Sequence, residues 1–134
     1  MPLYNCEFED GTLGPDQKKA LAQEITDIHC KVTGAPASFV HVLFSSHRRE
    51  DSFTGGKPAG FTAVQANIRD GRSDMDKQKL LKEITKACVR IAGVAAEQLV
   101  VAVNDIPAKY IMEGAMIMPE PGQEEAWLAQ HRAS

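Results

Sequence analysis

The first forty residues change from an alternating pattern to a helical one. Residues 3–9 (LYNCEFE) alternate apolar and polar side chains, which indicates a β-strand with one buried face. Apolar residues then recur at the spacing of one helix face, at Leu21, Ile25, Ile28 and Val32. This predicts a helix that begins at Pro15, which suits a first helical turn, and ends at Gly34. A second strand is expected over residues 38–46 (SFVHVLFSS).

The same order of patterns returns in the second half. Residues 61–68 (FTAVQANI) and 98–105 (QLVVAVND) have the composition of strands. Between them an apolar helical stripe is formed by Leu80, Leu81, Ile84, Cys88 and Ile91. Ser73 is the expected N-cap of this helix, and Gly93 is its expected C-terminal stop.

The two halves are also similar in sequence. ITDIHCKVTG at 25–34 is similar to ITKACVRIAG at 84–93, which lies 59 positions later. FVHVLFS (39–45) lies over LVVAVND (99–105) at an offset of 60. Two copies are too few for a solenoid. We therefore predict two β-α-β units, at about 2–45 and 60–105, within a single domain over residues 1–134.

Two such units side by side predict an α/β (α+β) fold with one four-stranded mixed sheet. Right-handed crossovers put both helices on one face of this sheet. The strands are rich in Val, Phe, Leu and Ile, so we expect an apolar second face. Because a chain of 134 residues has no third layer to cover that face, we predict an oligomer.

Two stretches lie outside the repeat. Residues 46–59 (SHRREDSFTGGKPA) are polar and contain two adjacent glycines, which predicts a long mobile loop between the units. In the C-terminal extension, 107–134, we expect a short turn or helix at PAKYIMEG and a small edge strand at MIMP. We expect residues 123–131 to form a short helix that docks through Trp127 and Leu128.

Composition limits the classes of protein to consider. Apolar residues make up 43% and charged residues 25%, the balance of a globular chain. No apolar run approaches the roughly 20 residues of a membrane span, and the N-terminus lacks the features of a secretory signal. A net charge of −3 and a pI of about 5.8 argue against a nucleic-acid partner. Three separated cysteines without zinc-site spacing indicate a reducing, cytoplasmic location.

Pro2 is the first candidate for chemistry. Removal of Met1, which a small second residue permits, would leave a secondary amine at the start of the chain. An α-amino group titrates at ~8, and burial or nearby cations lower its pKa further. An amine with a pKa near neutrality is an effective general base or general acid, and it is also a nucleophile. The alternative is that a proline stands here by chance.

Arg69 and Arg72 lie in the segment IRDGRS, at the expected end of a strand and just before the second helix. Open α/β sheets bind ligands at such strand ends. Two guanidinium groups can grip a carboxylate, and the following helix N-terminus adds positive potential. The alternative is a solvated basic turn.

His29 and Glu113 complete the set of candidates. His29 lies at the edge of the apolar stripe in the last turns of the first helix. It either donates to a substrate oxygen or is a half-buried histidine favoured by the helix C-terminus. Glu113 follows the PAKYIM turn, where it either positions a water molecule or is an ordinary surface glutamate.

Together these features resemble the tautomerase superfamily and, more narrowly, cis-3-chloroacrylic acid dehalogenase and its relatives. The resemblance covers nearly the whole chain and is carried by MPLY, EITDIHCKVTG, IRDGRS, PAKYIMEG and PEPGQEEAW. It implies a homotrimer that needs no cofactor or metal, acts on a small carboxylate and has no nucleic-acid or membrane partner. It also implies site roles for Pro2, His29, Arg69, Arg72 and Glu113.

The family also uses a tyrosine, and the chain departs from the pattern there. The position falls to Ala102, within LVVAVND. In the dehalogenase that tyrosine is thought to help the glutamate handle water, so its loss counts against hydrolytic dehalogenation. Keto–enol tautomerisation needs only a base and a carboxylate clamp, and it is less affected.

Three functional hypotheses remain. The first is keto–enol tautomerisation of small 2-oxo or unsaturated carboxylates. There Arg69 and Arg72 bind the carboxylate and His29 binds or polarises an oxygen. Pro2 moves a proton to or from carbon, and Glu113 activates water if water adds. The second hypothesis is a hydratase, a hydrolytic dehalogenase of cis-3-haloacrylate-type acids or a 3-oxo acid decarboxylase. The third is a non-catalytic assembly or signalling module with the same fold.

Overall fold

The computed structural model describes residues 1–131. In chain order its strands and helices are β1 (Leu3–Glu9), α1 (Pro15–Thr33), β2 (His41–His47), β3 (Phe53–Thr54), β4 (Lys57–Pro58), β5 (Thr62–Arg69), α2 (Asp74–Ala92), β6 (Leu99–Ile106), β7 (Met112–Glu113), β8 (Met116–Ile117) and α3 (Glu124–His131). The four long strands form one sheet in the order β2-β1-β5-β6, and the short strands pair as two hairpins.

The main sheet is mixed, as predicted. β1 and β2 are parallel, β5 and β6 are parallel, and the central pair of β1 and β5 is antiparallel. The chain thus forms two β-α-β units, β1-α1-β2 and β5-α2-β6. Both helices have 19 residues, and they begin at Pro15 and Asp74, which matches the offset of 59 seen in the sequence.

Both helices pack on one face of the sheet, where the core lies. Side chains at most 2% exposed come from both central strands and both helices: Tyr4, Cys6, Phe8, Val64, Ala66, Ile68, Leu21, Ile25, Leu80 and Ile84. Full burial of one large apolar side chain of this kind stabilises the fold by about 1.5–3 kcal/mol. The alternation within the strands and the stripes on the helices therefore identify the core correctly.

The helices end as the sequence predicts. Gly34 has a φ of 78° and its N–H donates to the Cys30 carbonyl, while Gly93 ends α2 in the same conformation. The Ser73 hydroxyl oxygen accepts a hydrogen bond from the Asp76 N–H at 3.1 Å. None of the helices within residues 1–131 has the length and apolarity that a membrane span requires.

The second face of the sheet differs from the expectation. Strand alternation directs most Val, Phe and Ile side chains toward the helices, and it leaves mainly polar or small residues on the open face. Large apolar side chains on that face include Leu43 and Val100, which are 59% and 55% exposed. The prediction that the second face of the sheet is apolar is therefore wrong.

The segment between the two units also differs from the long loop expected over residues 46–59. It contains a short 3-10 turn and the β3–β4 hairpin. Gly55 and Gly56 have φ values of 61° and 78°, and two central residues with positive φ form the tight turn that suits a hairpin. Ser52 is 3% exposed and its hydroxyl donates to the Ala59 carbonyl, which closes the segment onto itself.

The C-terminal extension packs beside the N-terminus. The predicted MIMP strand exists as β8, but it pairs with β7 in a separate hairpin and not with an edge of the main sheet. α3 docks through Trp127 and Leu128, as predicted. These side chains pack on a small second cluster of buried residues, formed by Met1, Phe39, Ile111 and Met118.

Candidate active site

The candidate residues converge at one end of the main sheet. Because β1 and β5 are antiparallel, with Leu3 opposite Asn67, the start of β1 lies beside the end of β5. Pro2 precedes β1, and Arg69 is the last residue of β5. The Pro2 carbonyl accepts a hydrogen bond from the His41 N–H at 3.0 Å, which fixes it to β2 as well.

The N-terminus itself is buried at this end. The Pro2 side chain is less than 2% exposed and Met1 is 8% exposed. The Met1 ammonium donates to the Glu113 carboxylate. Burial lowers the pKa of this amine, Glu113 opposes the shift, and the positive charge of Arg69 adds to it. While Met1 is attached, the Pro2 nitrogen belongs to an amide and has no basic lone pair.

Glu113 is held from two sides. It lies in β7, and its second carboxylate oxygen is 2.6 Å from His41 Nε2. The Glu113 side chain is 27% exposed, so it lies at the boundary between the buried N-terminus and solvent. His41 was not predicted from the sequence, since nothing in the strand pattern distinguishes it from any other polar residue at a strand start.

Arg69 is almost fully enclosed. Its side chain is 1% exposed. One guanidinium nitrogen donates to the Pro119 carbonyl at 2.8 Å and another to a Glu124 carboxylate oxygen at 2.9 Å. The guanidinium carbon lies 5.3 Å from the centre of the Phe39 ring, which is within cation–π range.

Arg72 keeps more of its guanidinium available. One nitrogen donates to the Thr33 carbonyl at 2.8 Å, which joins the start of α2 to the end of α1. The other terminal nitrogen lies 3.9 Å from Glu124, which is beyond hydrogen-bond distance. Burial lowers the pKa of Arg72, and the neighbouring Arg69 lowers it further.

His29 is fully buried, not half-buried, at 1% exposure. Burial lowers its pKa to about 3, with contributions from Arg72, Arg69 and the N-terminal ammonium. Its Nδ1 lies 2.8 Å from the Tyr4 hydroxyl. Burial also raises the pKa of Tyr4, so the phenol keeps its proton at neutral pH. The neutral imidazole and the phenol therefore share one hydrogen bond, and the imidazole has one N–H to donate.

These contacts show that four of the predicted groups form one electrostatic cluster. The two arginines and the N-terminus all act on His29, and Glu113 joins the cluster through the N-terminus. Glu124 supplies a second negative charge. Among residues 1–131 there is no group of three or more His, Cys, Asp or Glu side chains that could hold a metal ion.

An apolar groove adjoins the cluster. It has a volume of about 290 Å³ and includes Glu113 and His41 in its lining. The rest of the lining is largely hydrophobic and includes Phe39, Met116, Met118, Trp127 and Leu128. The groove meets the cluster at Glu113 and at Phe39, whose ring lies against the Arg69 guanidinium.

Glu124 belongs to this site but was not predicted from the sequence. In the segment PEPGQEEAW it looks like an ordinary acidic residue in the first turn of a helix, and that position alone explains it. It reaches Arg69 only because α3 folds over the end of the sheet where β1 begins and β5 ends. The local pattern contains no signal for that contact, which joins residues 55 positions apart.

Comparisons with known proteins agree with this architecture. A family model described as "Putative oxalocrotonate tautomerase enzyme" matches residues 1–132. A probable tautomerase of Listeria innocua is 38% identical over 56 residues, which are 42% of this chain and 90% of the relative. A probable tautomerase of Streptococcus pneumoniae is 41% identical over 58 residues, 42% of this chain and 93% of the relative. Each relative is thus about as long as one half of this chain.

Solved structures are similar over most of the chain. The crystal structure of native Ps01740 is 43% identical, with a TM-score of 0.81 over 84% of this chain and 100% of that one. The structure of N1, a member of the cis-3-chloroacrylic acid dehalogenase family, is 32% identical, with a TM-score of 0.90 over 96% and 91%. A fused 4-OT in a symmetric trimer, at 23% identity and a TM-score of 0.81 over 87% and 95%, shares the fold.

Proposed function

Because this chain belongs to the tautomerase superfamily, we propose that it is an isomerase that interconverts the enol and keto forms of small 2-oxo or unsaturated carboxylates. In this proposal the base and acid is the Pro2 amine, which becomes free when Met1 is removed. The observation that carries it is the buried N-terminus beside Arg69, where the pKa of the terminal amine is lowered.

The lowered pKa matters because an ordinary α-amino group, with a pKa of ~8, is mostly protonated at neutral pH. Burial and the nearby positive charge would give the Pro2 amine a larger neutral fraction. Such an amine takes a proton in one step and returns it in the next. Conversion of the enol to the keto form requires this exchange, because the hydroxyl proton leaves oxygen and a proton is added to C3.

The remaining residues would bind and orient the substrate. A guanidinium group of the arginine pair binds the substrate carboxylate. His29, which is neutral, donates to the oxygen at C2 and stabilises the negative charge that develops there. The apolar groove beside Glu113 receives the hydrocarbon end. In this scheme the Pro2 amine carries out each proton transfer.

The test is ketonisation of phenylenolpyruvate, followed by its ultraviolet absorbance. Pro2→Ala is expected to lower kcat/KM by about 100-fold or more, the range in which a positioned general base contributes. Pro15→Ala is the matched control, since Pro15 is an exposed proline at the start of α1. Mass spectrometry of each preparation establishes that Met1 has been removed.

Equal rates for Pro2→Ala and the wild-type protein would refute the mechanism. An inert wild-type protein that lacks Met1 would instead favour the third hypothesis, a non-catalytic module. Activity that appears only after Met1 is removed would support Pro2 directly, because the amide nitrogen of the longer form is not basic.

A second candidate function is addition of water to an unsaturated acid, with or without loss of halide. Two observations favour it: the 32% identity to a member of the cis-3-chloroacrylic acid dehalogenase family, and the place of the Glu113 carboxylate beside His41, at the boundary with solvent. Ala102 counts against it, because it stands at the position of the family's tyrosine and has no hydroxyl to assist Glu113. It lies in β6, in register with Gln65. Release of halide from a cis-3-haloacrylate would establish this activity.

We further propose that the chain works as a homotrimer in the cytoplasm. The open sheet face, with Leu43 and Val100 exposed, provides the surface for assembly. Solved trimers of fused 4-OT share the fold. The three cysteines of the chain are unpaired, which suits a reducing compartment.

A further inference from the structure

Glu124 gives the arginine pair an internal counter-ion. We propose that this residue neutralises Arg69 permanently and so limits the site to substrates with a single carboxylate. In this scheme Arg72 receives the substrate anion and Glu124 repels a second one. The proposal rests on the proposed function in that both place the substrate carboxylate at this pair.

The Glu124 carboxylate is fixed from two directions. One oxygen accepts from Arg69 at 2.9 Å, and the other accepts from the Gly122 N–H at 2.9 Å. The side chain is 12% exposed. Although burial opposes ionisation, these hydrogen bonds lower the pKa of Glu124, so it carries its charge at neutral pH. An anchored, ionised carboxylate of this kind is a structural part of the site.

Arg69 in turn has little left to offer a ligand. Two of its nitrogens are engaged by Pro119 and Glu124, and Phe39 covers a face of the guanidinium. A buried guanidinium requires a counter-charge, because an unpaired charge in the interior is strongly destabilising. A substrate carboxylate would have to break the Arg69–Glu124 pair to replace it. Arg72, at 12% exposure and 3.9 Å from Glu124, is the accessible member of the pair.

The charges around the site then leave room for one anion. Two arginines share the single negative charge of Glu124, which lies 2.9 Å from Arg69 and 3.9 Å from Arg72, and His29 is neutral. One positive charge of the arginine pair therefore remains for a ligand. A monocarboxylate neutralises it, whereas a dicarboxylate brings a second negative charge toward Glu113 or Glu124. The apolar lining of the adjoining groove also disfavours a dicarboxylate, because it would remove water from the second carboxylate without supplying a strong counter-charge.

The experiment compares two acids with the same five-carbon chain, the monocarboxylate 2-oxopentanoate and the dicarboxylate 2-oxoglutarate. Trp127 is the chain's single tryptophan, lies in the groove and follows Glu124 by three residues on α3. Its fluorescence therefore reports binding without any turnover. We expect the wild-type protein to bind the monocarboxylate at least about tenfold more tightly, a modest effect for one repelled charge at this range.

The variants separate charge from structure. Glu124→Gln keeps the shape and removes the charge, and it is expected to reduce the preference for the monocarboxylate by about tenfold. Glu124→Asp keeps the charge and is expected to retain the preference. Glu125→Gln is the matched control, because Glu125 is the exposed neighbour on the same helix.

A wild-type protein that binds the dicarboxylate as tightly as the monocarboxylate, or binds neither acid, overturns the proposal. So does a folded Glu124→Gln variant with the wild-type preference. If that variant fails to fold, the ratio of the affinities for the two acids, measured for the wild-type protein and for Glu124→Asp, still tests the proposal. Because binding is measured without catalysis, loss of the Pro2 mechanism and loss of this selectivity are separate results.

Discussion

His29 is buried among groups that all oppose its protonation. Burial contributes most to its lowered pKa, and Arg72, Arg69 and the N-terminal ammonium add to the effect. The Tyr4 hydroxyl then orients the neutral ring through its hydrogen bond with Nδ1. A histidine in this state is a hydrogen-bond donor at neutral pH and does not transfer protons there, so the pH dependence of activity is expected to report the Pro2 amine.

The lowered pKa of His29 predicts that stability falls in acid. The unfolded chain protonates this residue below pH 6.5, whereas the folded protein does so only near pH 3. Above pH 6.5 His29 is neutral in both states, so its burial as a neutral ring does not lower the free energy of unfolding there. As the pH is lowered from 6.5 to 3, the free energy of unfolding decreases by up to about 1.4 kcal/mol per pH unit. Urea denaturation of wild type and His29→Asn across this range measures the difference in slope.

The control for that comparison is Lys31→Ala, which removes an exposed charge two residues further along α1. It is expected to keep the wild-type slope. Equal slopes for wild type and His29→Asn would mean that His29 titrates normally in the folded protein.

At the scale of elements, the end of α1 positions part of the site. The last turns of this helix carry His29, whose carbonyl accepts from the Thr33 hydroxyl at 2.8 Å. The Thr33 carbonyl in turn accepts from Arg72, just before α2. Gly34 ends the helix immediately afterwards with a φ of 78°. The conformation of one glycine thus influences the place where Arg72 joins the start of α2 to the end of α1.

Gly34→Ala is expected to lower the free energy of unfolding by about 1 kcal/mol, because a side chain disfavours the left-handed conformation. No heavy atom lies within 4 Å of the added Cβ, so the cost is conformational and not steric. Lys31→Ala is the matched control: Lys31 is an exposed residue of the same helix, in a helical conformation that alanine adopts readily. Chemical denaturation measures both, and equal losses would contradict the argument.

At the scale of the whole molecule, the central antiparallel pair decides where the site lies. It brings the start of β1 to the end of β5, and the C-terminal extension then covers that end with β7, β8 and α3. The opposite face of the sheet remains open in the single chain. The site and the proposed assembly surface therefore use different parts of the same four strands.

The assembly proposal predicts the effect of a charge on the open face. The wild-type protein is expected to have three times the chain mass of 14.6 kDa, and Val100→Lys is expected to dissociate it. Met75→Lys is the matched control, since Met75 is 79% exposed but lies on α2, on the other side of the sheet. Sedimentation equilibrium measures all three masses. A wild-type monomer, or a Val100→Lys trimer, would disprove this assembly surface.

The sequence by itself determined the repeated β-α-β plan, because its signals are local. Alternation over 3–9 and the apolar stripes of both helices are each read from neighbouring residues, and helix stops such as Gly34 need only one position. The resemblance to a family then selected the candidates Pro2, His29, Arg69, Arg72 and Glu113. The structure brings these residues to one end of the sheet, and their chemical roles stay predictions.

The tertiary structure alone decided which groups neutralise and orient these candidates. Glu113 meets the N-terminus across 112 positions, and Glu124 meets Arg69 across 55. No periodicity relates residues so far apart, because such contacts arise only when the hairpin β7–β8 and α3 fold over the sheet. Tyr4 belongs to the same class, since alternation predicts its burial but not that its hydroxyl meets His29. A local pattern determines which face of an element is buried, whereas packing determines which charges share that interior.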